Sequence, residues 1–152
     1  MIPFVSMGQK ETVLFDTHVH LDAPPLGQRL GEEVRQARMA GVCRFLVPGV
    51  DREGWPGLMG AVRSVPGALA APGLHPQAAG RWNAEAAARL RALLRAPEVA
   101  AVGEIGLDGL LEAPSPDIQE RAFREQLRLA VEADLPVVIH CPLVLPSASA
   151  AP

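Results

Sequence analysis

Five short apolar runs punctuate the chain, beginning near residues 12, 42, 68, 99 and 135, and no hairpin turn joins any of them to the next. Each gap is long enough for one helix. Strands that alternate with helices build a parallel sheet through right-handed strand–helix–strand crossovers, because tight turns join only antiparallel neighbours. The expected architecture is therefore α/β, with about four and a half strand–helix units and no repeated sequence signature among them.

The strands are read at 12–16, Val42–Val47, Ala68–Ala71, Val99–Ile105 and Leu135–Cys141. Continuous apolar runs such as Val42–Val47 fit strands covered on both faces. A helix is predicted over 28–40, with Leu30, Val34 and Ala37 on one stripe and Gly41 ending it in a left-handed conformation. A second, over 51–64, is interrupted by Gly54, Pro56, Gly57 and Gly60. A third starts at the cap Asn83 and runs to Ala96. The fourth runs from the cap Ser115 through Pro116 and Asp117 to Ala133, with Phe123, Leu127 and Ala130 facing inward. Its Arg121, Arg124 and Arg128 read as a solvated outer face rather than a phosphate-binding stripe.

The polar residues at the strand ends carry the chemistry. His18 and His20 follow the first strand in DTHVH. Side chains two apart along an extended chain point the same way, so both rings converge on one point, as two metal ligands would. Two histidines in a polar loop give the same pattern by chance. Glu104 interrupts an apolar strand with no basic neighbour in sequence, and a charge buried there needs a partner or a metal. His140 lies near the end of the fifth strand. In parallel α/β folds the site lies at the carboxyl ends of the strands, where all four groups sit. Asp16 is expected either to hydrogen-bond a ligand or to cap the loop. His75 is expected either to contact substrate or to be a loop histidine held by Pro76. Asp108 reads as a turn residue.

Composition narrows the function classes. The net charge is −3 and only Lys10 accompanies thirteen arginines, so this is no strongly basic nucleic-acid binder. Tyrosine is absent and aromatics are 4%, which argues against a base-stacking platform. Cys43 and Cys141 fall in apolar runs and read as buried thiols in a reducing compartment. Neither a secretory signal nor a membrane-length apolar run is visible, so a cytoplasmic protein without membrane association is expected.

DTHVHLD, GLHP, VGEIGLD and the run from Gln119 through LPVVIH, in this order, resemble the TatD family of metal-dependent hydrolases, over residues 12–141. The resemblance implies an amidohydrolase-type TIM (β/α)8 barrel and metal-dependent hydrolysis of phosphodiesters, DNA among them, by a metal-activated water. It implies two divalent ions, Zn²⁺, Mn²⁺ or Mg²⁺, with His18 and His20 on the first, Glu104 bridging and His140 on the second. A carboxylated-lysine bridge is excluded, since the one lysine precedes the first strand. Amide- or ester-cleaving amidohydrolase chemistry is the alternative within the same site.

The family pattern continues beyond the fifth strand with a Cys-Arg pair, a further histidine ligand and a late aspartate that acts as base. Here Cys141 is followed by Pro142, and no Asp or Glu follows Asp134. A whole barrel needs about 250 residues, so a truncated barrel is expected. Residues 1–11 read as an extension and 142–152 as a flexible tail outside the family pattern. Open sheet edges predict marginal stability or self-association, and an inactive half-barrel or weak metal-binding module is the non-enzymatic reading.

Overall fold

The computed structural model describes residues 13–142. The terminal segments read above as extension and tail fall almost wholly outside these. The described chain is α/β: β1 (Leu14–Asp16), α1 (Leu30–Met39), β2 (Val42–Pro48), α2 (Trp55–Ser64), β3 (Ala68–Ala71), α3 (Ala84–Leu93), β4 (Val102–Gly106), α4 (Pro116–Glu132) and β5 (Val137–His140). Two 3-10 segments add to these, Leu26–Arg29 before α1 and Pro76–Arg81 after β3. All strand pairs are parallel.

β1, β2 and β3 are neighbours in one sheet, and β4 pairs with β5 in a second. A parallel bridge between Ala70 and Val99 links the two. There the Ala70 N–H donates to the Glu98 carbonyl and the Ala100 N–H to the Ala70 carbonyl. The strands thus follow one another in sequence order, the arrangement of a (β/α) barrel wall that the described residues do not close.

The core lies between this wall and the helices. Phe45 and Val47 of β2 are buried in one cluster with Trp55, Leu58, Met59 and Val62 of α2. Each such side chain contributes about 1.5–3 kcal/mol on burial. The expectation that β2 is covered on both faces is corrected: Arg44 is exposed and Leu46 only half-buried. Leu14, Phe15 and Ile139 are exposed as well, at 47%, 43% and 53%. Among the described residues no strand lies opposite these side chains to cover them. Cys141 is exposed, against its reading as a buried thiol, while Cys43 is half-buried.

Three helices depart from their sequence reading in instructive ways. α2 is a regular helix despite its glycines. Trp55, Leu58, Met59 and Val62 form the buried stripe, Pro56 occupies the first turn, and Gly57 and Gly60 sit outward with nothing near their Cβ positions. Ser115 opens α4 without a side-chain cap; its backbone carbonyl accepts from Ile118 and Gln119 instead. The deepest face of α4 holds Gln119, Ala122, Gln126, Leu129 and Ala130, while Phe123 and Leu127 are half-buried. The helix predicted over 28–40 begins as a 3-10 turn and becomes α-helical at Leu30.

At the carboxyl end of the wall, glycine backbones touch. A Cβ on Gly49 would lie 2.8 Å from the Gly73 nitrogen, and one on Gly73 would lie 2.6 Å from the Gly103 carbonyl carbon. One on Gly103 would lie 2.6 Å from the Val138 Cβ. Backbone hydrogen bonds reinforce this row: Gly49 N–H to Gly103 O at 2.8 Å, and Glu104 N–H back to Gly49 O at 2.9 Å. No helix of the described residues is long and apolar enough to cross a membrane.

The same substitution has opposite expected effects at two kinds of glycine. Gly57→Ala, in an open helical position, is expected to raise stability by about 0.4–1 kcal/mol. Gly73→Ala must displace backbone and is expected to cost about 1–3 kcal/mol. Urea midpoints of the two variants measure both; equal shifts would contradict the packing described.

Candidate metal centre

Four segments bring polar side chains to the glycine row. β1 delivers Asp16 and the turn holding His18 and His20. The Asp16 Oδ1 accepts from the His18 N–H at 3.1 Å, closing that turn. The two rings lie 5.3 Å apart and nearly perpendicular. The Val19 N–H donates to the Leu46 carbonyl of β2, which ties the turn to the sheet. β4 delivers Glu104, whose Gly103–Glu104 peptide is cis. β5 ends on His140. The loop after β3 delivers His75.

Glu104 stands between the histidines. Its Oε2 is 3.3 Å from His18 Nε2 and its Oε1 is 2.9 Å from His140 Nδ1. Its side chain is only 12% exposed. The partner demanded by a charge inside an apolar strand is thus a pair of imidazoles, one on each carboxylate oxygen. His140 in turn is flanked by two carboxylates, since its Nε2 lies 3.1 Å from Asp108 Oδ2. A neutral imidazole donates one hydrogen bond, so the other contact sets two lone pairs face to face. Such a contact calls for positive charge between the groups, either a proton or a cation.

Two sets of ligand atoms fit a cation. Those of His18, His20 and Glu104 lie within 4.8 Å of one another, as do those of His75, Glu104 and His140. Ligand atoms that share one cation at about 2.0–2.2 Å lie at most about 4.4 Å apart, so these spacings are close to what a shared ion needs. Imidazole with carboxylate suits Zn²⁺, Mn²⁺ or Fe²⁺ better than Mg²⁺. The structure thus brings together His18, His20, Glu104, His140 and His75, with Asp16 one step back.

Asp108, read from sequence as a turn residue, does two things at once. Its Oδ1 accepts from the Leu110 N–H at 2.9 Å, and its Oδ2 faces His140. The Leu110 N–H and the contact with His140 hold its carboxyl below the usual aspartate range, against the opposing effect of burial. The buried glutamines of α4 also escaped the sequence reading. Gln119 Oε1 accepts from the Asp108 N–H, and its Nε2 donates to the Asp108 and Pro114 carbonyls. Gln126 accepts from the Leu74 N–H at 2.7 Å and donates to the Leu74 carbonyl at 3.1 Å. An amide side chain offers a donor and an acceptor together, as a neighbouring strand would. α4 thereby grips the two loops that carry Asp108 and His75. Two glutamines seven residues apart, on the stripe of a helix otherwise apolar there, were the available signal.

His75 is half-buried. Burial, then His140 beside it, pushes its imidazole below the ordinary histidine value, with Glu104 and Asp108 opposing. Asp22, beyond His20, is pushed up by burial and leaves Oδ1 without a hydrogen-bond partner among the described residues.

Comparison with known proteins bears on this arrangement. The family model for TatD related DNase matches residues 15–146. The chain is 41% identical over 128 residues to the 3'-5' ssDNA/RNA exonuclease TatD of Cronobacter turicensis, covering 84% of this chain and 49% of that protein. It is 37% identical over 128 residues to the uncharacterized metal-dependent hydrolase YabD of Bacillus subtilis, covering 84% and 50%. Among solved structures, the TatD homolog YJJV of Escherichia coli superposes with a TM-score of 0.79 at 34% identity, covering 84% of this chain and 50% of that one. A TatD family hydrolase of Entamoeba histolytica shares the fold, with a TM-score of 0.73 at 16% identity, covering 86% and 50%. The chain spans about half the length of the curated relatives it matches.

The lowered value of His75 has a pH consequence for the metal-free chain. The unfolded imidazole titrates near 6.5 and the folded one lower, so between the two the unfolded state binds more protons and stability rises with pH. The contribution is full above about pH 6.5 and is lost as pH falls through the folded value. His75→Asn is expected to flatten the dependence of the urea midpoint on pH across this window. A variant with the unaltered slope would contradict the assignment.

Proposed function

The chain belongs to the TatD-related DNase family, and from that premise we propose that it carries a two-ion centre for hydrolysis of phosphodiesters, DNA among them. His18, His20 and Glu104 would hold one divalent ion, and Glu104 and His140 the other. The observation that carries this reading is Glu104, whose two carboxylate oxygens face two different histidines. One carboxylate between two imidazole groups is the donor set a bridged ion pair requires. When bound, such ions supply Lewis acidity toward the phosphoryl group and a hydroxide at neutral pH.

The remaining work falls to the chain. Asp108 holds one nitrogen of His140 and leaves the other aimed at Glu104, as carboxylates do for metal-ligating histidines. Asp16 fixes the turn that presents His18. The Glu104 N–H, bonded to Gly49, sets where the bridging carboxylate stands. Among the described residues, no arginine hydrogen-bonds or ion-pairs with these side chains. The positive charge that an anionic substrate needs would therefore come from the ions.

Glu104→Gln is expected to keep the fold, reduce Zn²⁺ or Mn²⁺ uptake and abolish metal-dependent cleavage of single-stranded DNA. Equilibrium dialysis and a nuclease assay read the two effects. Unchanged uptake would refute the bridging role, and turnover of amide or ester substrates alone would move the chemistry to carbonyl centres.

The exposed apolar residues Leu14 and Phe15 of β1 and Ile139 of β5 also make the open wall an association surface. Size-exclusion chromatography over a range of concentrations is expected to show self-association, reduced by Phe15→Glu. A concentration-independent monomer would refute it.

A further inference from the structure

His75 meets the distance criterion for a third ligand beside Glu104 and His140, and its hydrogen bonding argues otherwise. Its Nδ1 accepts the backbone N–H of Gln77 at 3.2 Å. A backbone N–H can only donate, so the Nδ1 lone pair is occupied and the neutral ring carries its proton on Nε2. A nitrogen that bears a proton has no lone pair for a metal. Ligation through Nε2 would move the proton to Nδ1, where it would meet the Gln77 hydrogen. His140 differs in this respect, because both its nitrogens face carboxylates and no donor among the described residues competes for either.

The backbone that carries the ring is also held in place. The His75 N–H donates to the Val50 carbonyl at 2.8 Å, and the His75 carbonyl accepts from Ala78 at 2.8 Å. Gln126 holds both backbone groups of the preceding Leu74. The imidazole lies 4.1 Å from that of His140, centroid to centroid, tilted by 64°. Its surroundings are acidic, with Glu104 and Asp108 close by. An anionic oxygen brought among these carboxylates needs a hydrogen-bond donor in a set position.

We propose that His75 is held as the Nε2–H tautomer and serves as a hydrogen-bond donor to a non-bridging oxygen of the phosphodiester, leaving the ions to the other three histidines and Glu104. The substrate half of this statement rests on the metal-centre reading above; the tautomer half does not.

The test uses the full chain. Long-range ¹H–¹⁵N spectra of the metal-free protein are expected to show His75 with a protonated Nε2 and a bare Nδ1, unchanged when Zn²⁺ is added. His75→Ala is expected to take up as much Zn²⁺ as the unsubstituted chain, by equilibrium dialysis. It is also expected to bind inorganic phosphate about tenfold more weakly in the Zn²⁺-loaded form, the loss of one charge-assisted hydrogen bond. His75→Gln, which keeps a neutral N–H near the same point, is expected to recover most of that affinity. A bare Nε2, loss of Zn²⁺ from either variant, or phosphate binding indifferent to His75→Ala would each overturn the proposal. An unsubstituted chain that takes up no Zn²⁺ would overturn the metal centre and the substrate role together, while the tautomer is still decided by the metal-free spectra.

Discussion

Contact between glycine backbones at the carboxyl end of the wall is the constraint on which the rest depends. Parallel strands lie about 4.8 Å apart, and side chains normally keep the loops beyond them apart. Here Gly49, Gly73 and Gly103 bring successive strand ends against one another and against Val138. Glu104 is bonded through its N–H to Gly49, just past β2, not to the intervening strand. The position of its carboxylate between His18 and His140 is thus set by backbone.

A second tier of order comes from α4. Gln119 and Gln126 substitute for missing backbone partners and hold the Asp108 and Leu74 loops from behind. The indole N–H of Trp55 does the same for the Gly73 carbonyl at 2.9 Å. These anchors are all uncharged. They fix loop geometry without adding a fixed charge to a centre whose electrostatics rest on three acidic groups and four imidazoles.

Much of this was legible in the chain. Strand positions followed from apolar runs between helical stripes, and the His18, His20, Glu104 and His140 set followed from their placement at strand ends. Asp108 was not legible, because a Gly-Leu-Asp-Gly stretch is equally a turn, and its second oxygen meets His140 only through the pairing of β4 with β5. α2 was underrated, since glycine counts against a helix unless the face it occupies is known; Gly57 and Gly60 occupy the outward one. The stripe of α4 was misplaced because glutamine scores as polar, and only the two loops behind it show why burial is tolerated. The exposure of Leu14, Phe15 and Ile139 depends on what lies opposite them in space, which strand patterns alone do not encode.

The placement of Glu104 between His18 and His140 has a mechanical side. Those histidines sit in the turn after β1 and at the end of β5, the two outermost described strands, which share no backbone ladder with each other. Any ion seated on both sides of Glu104 would act as a clasp between the ends of an open wall, closing a loop that contains most of the chain. Ligand occupancy then becomes part of the folding equilibrium, deepening with free ion concentration as mass action requires. In such a chain the chemistry of the centre and the cohesion of the sheet draw on the same few atoms.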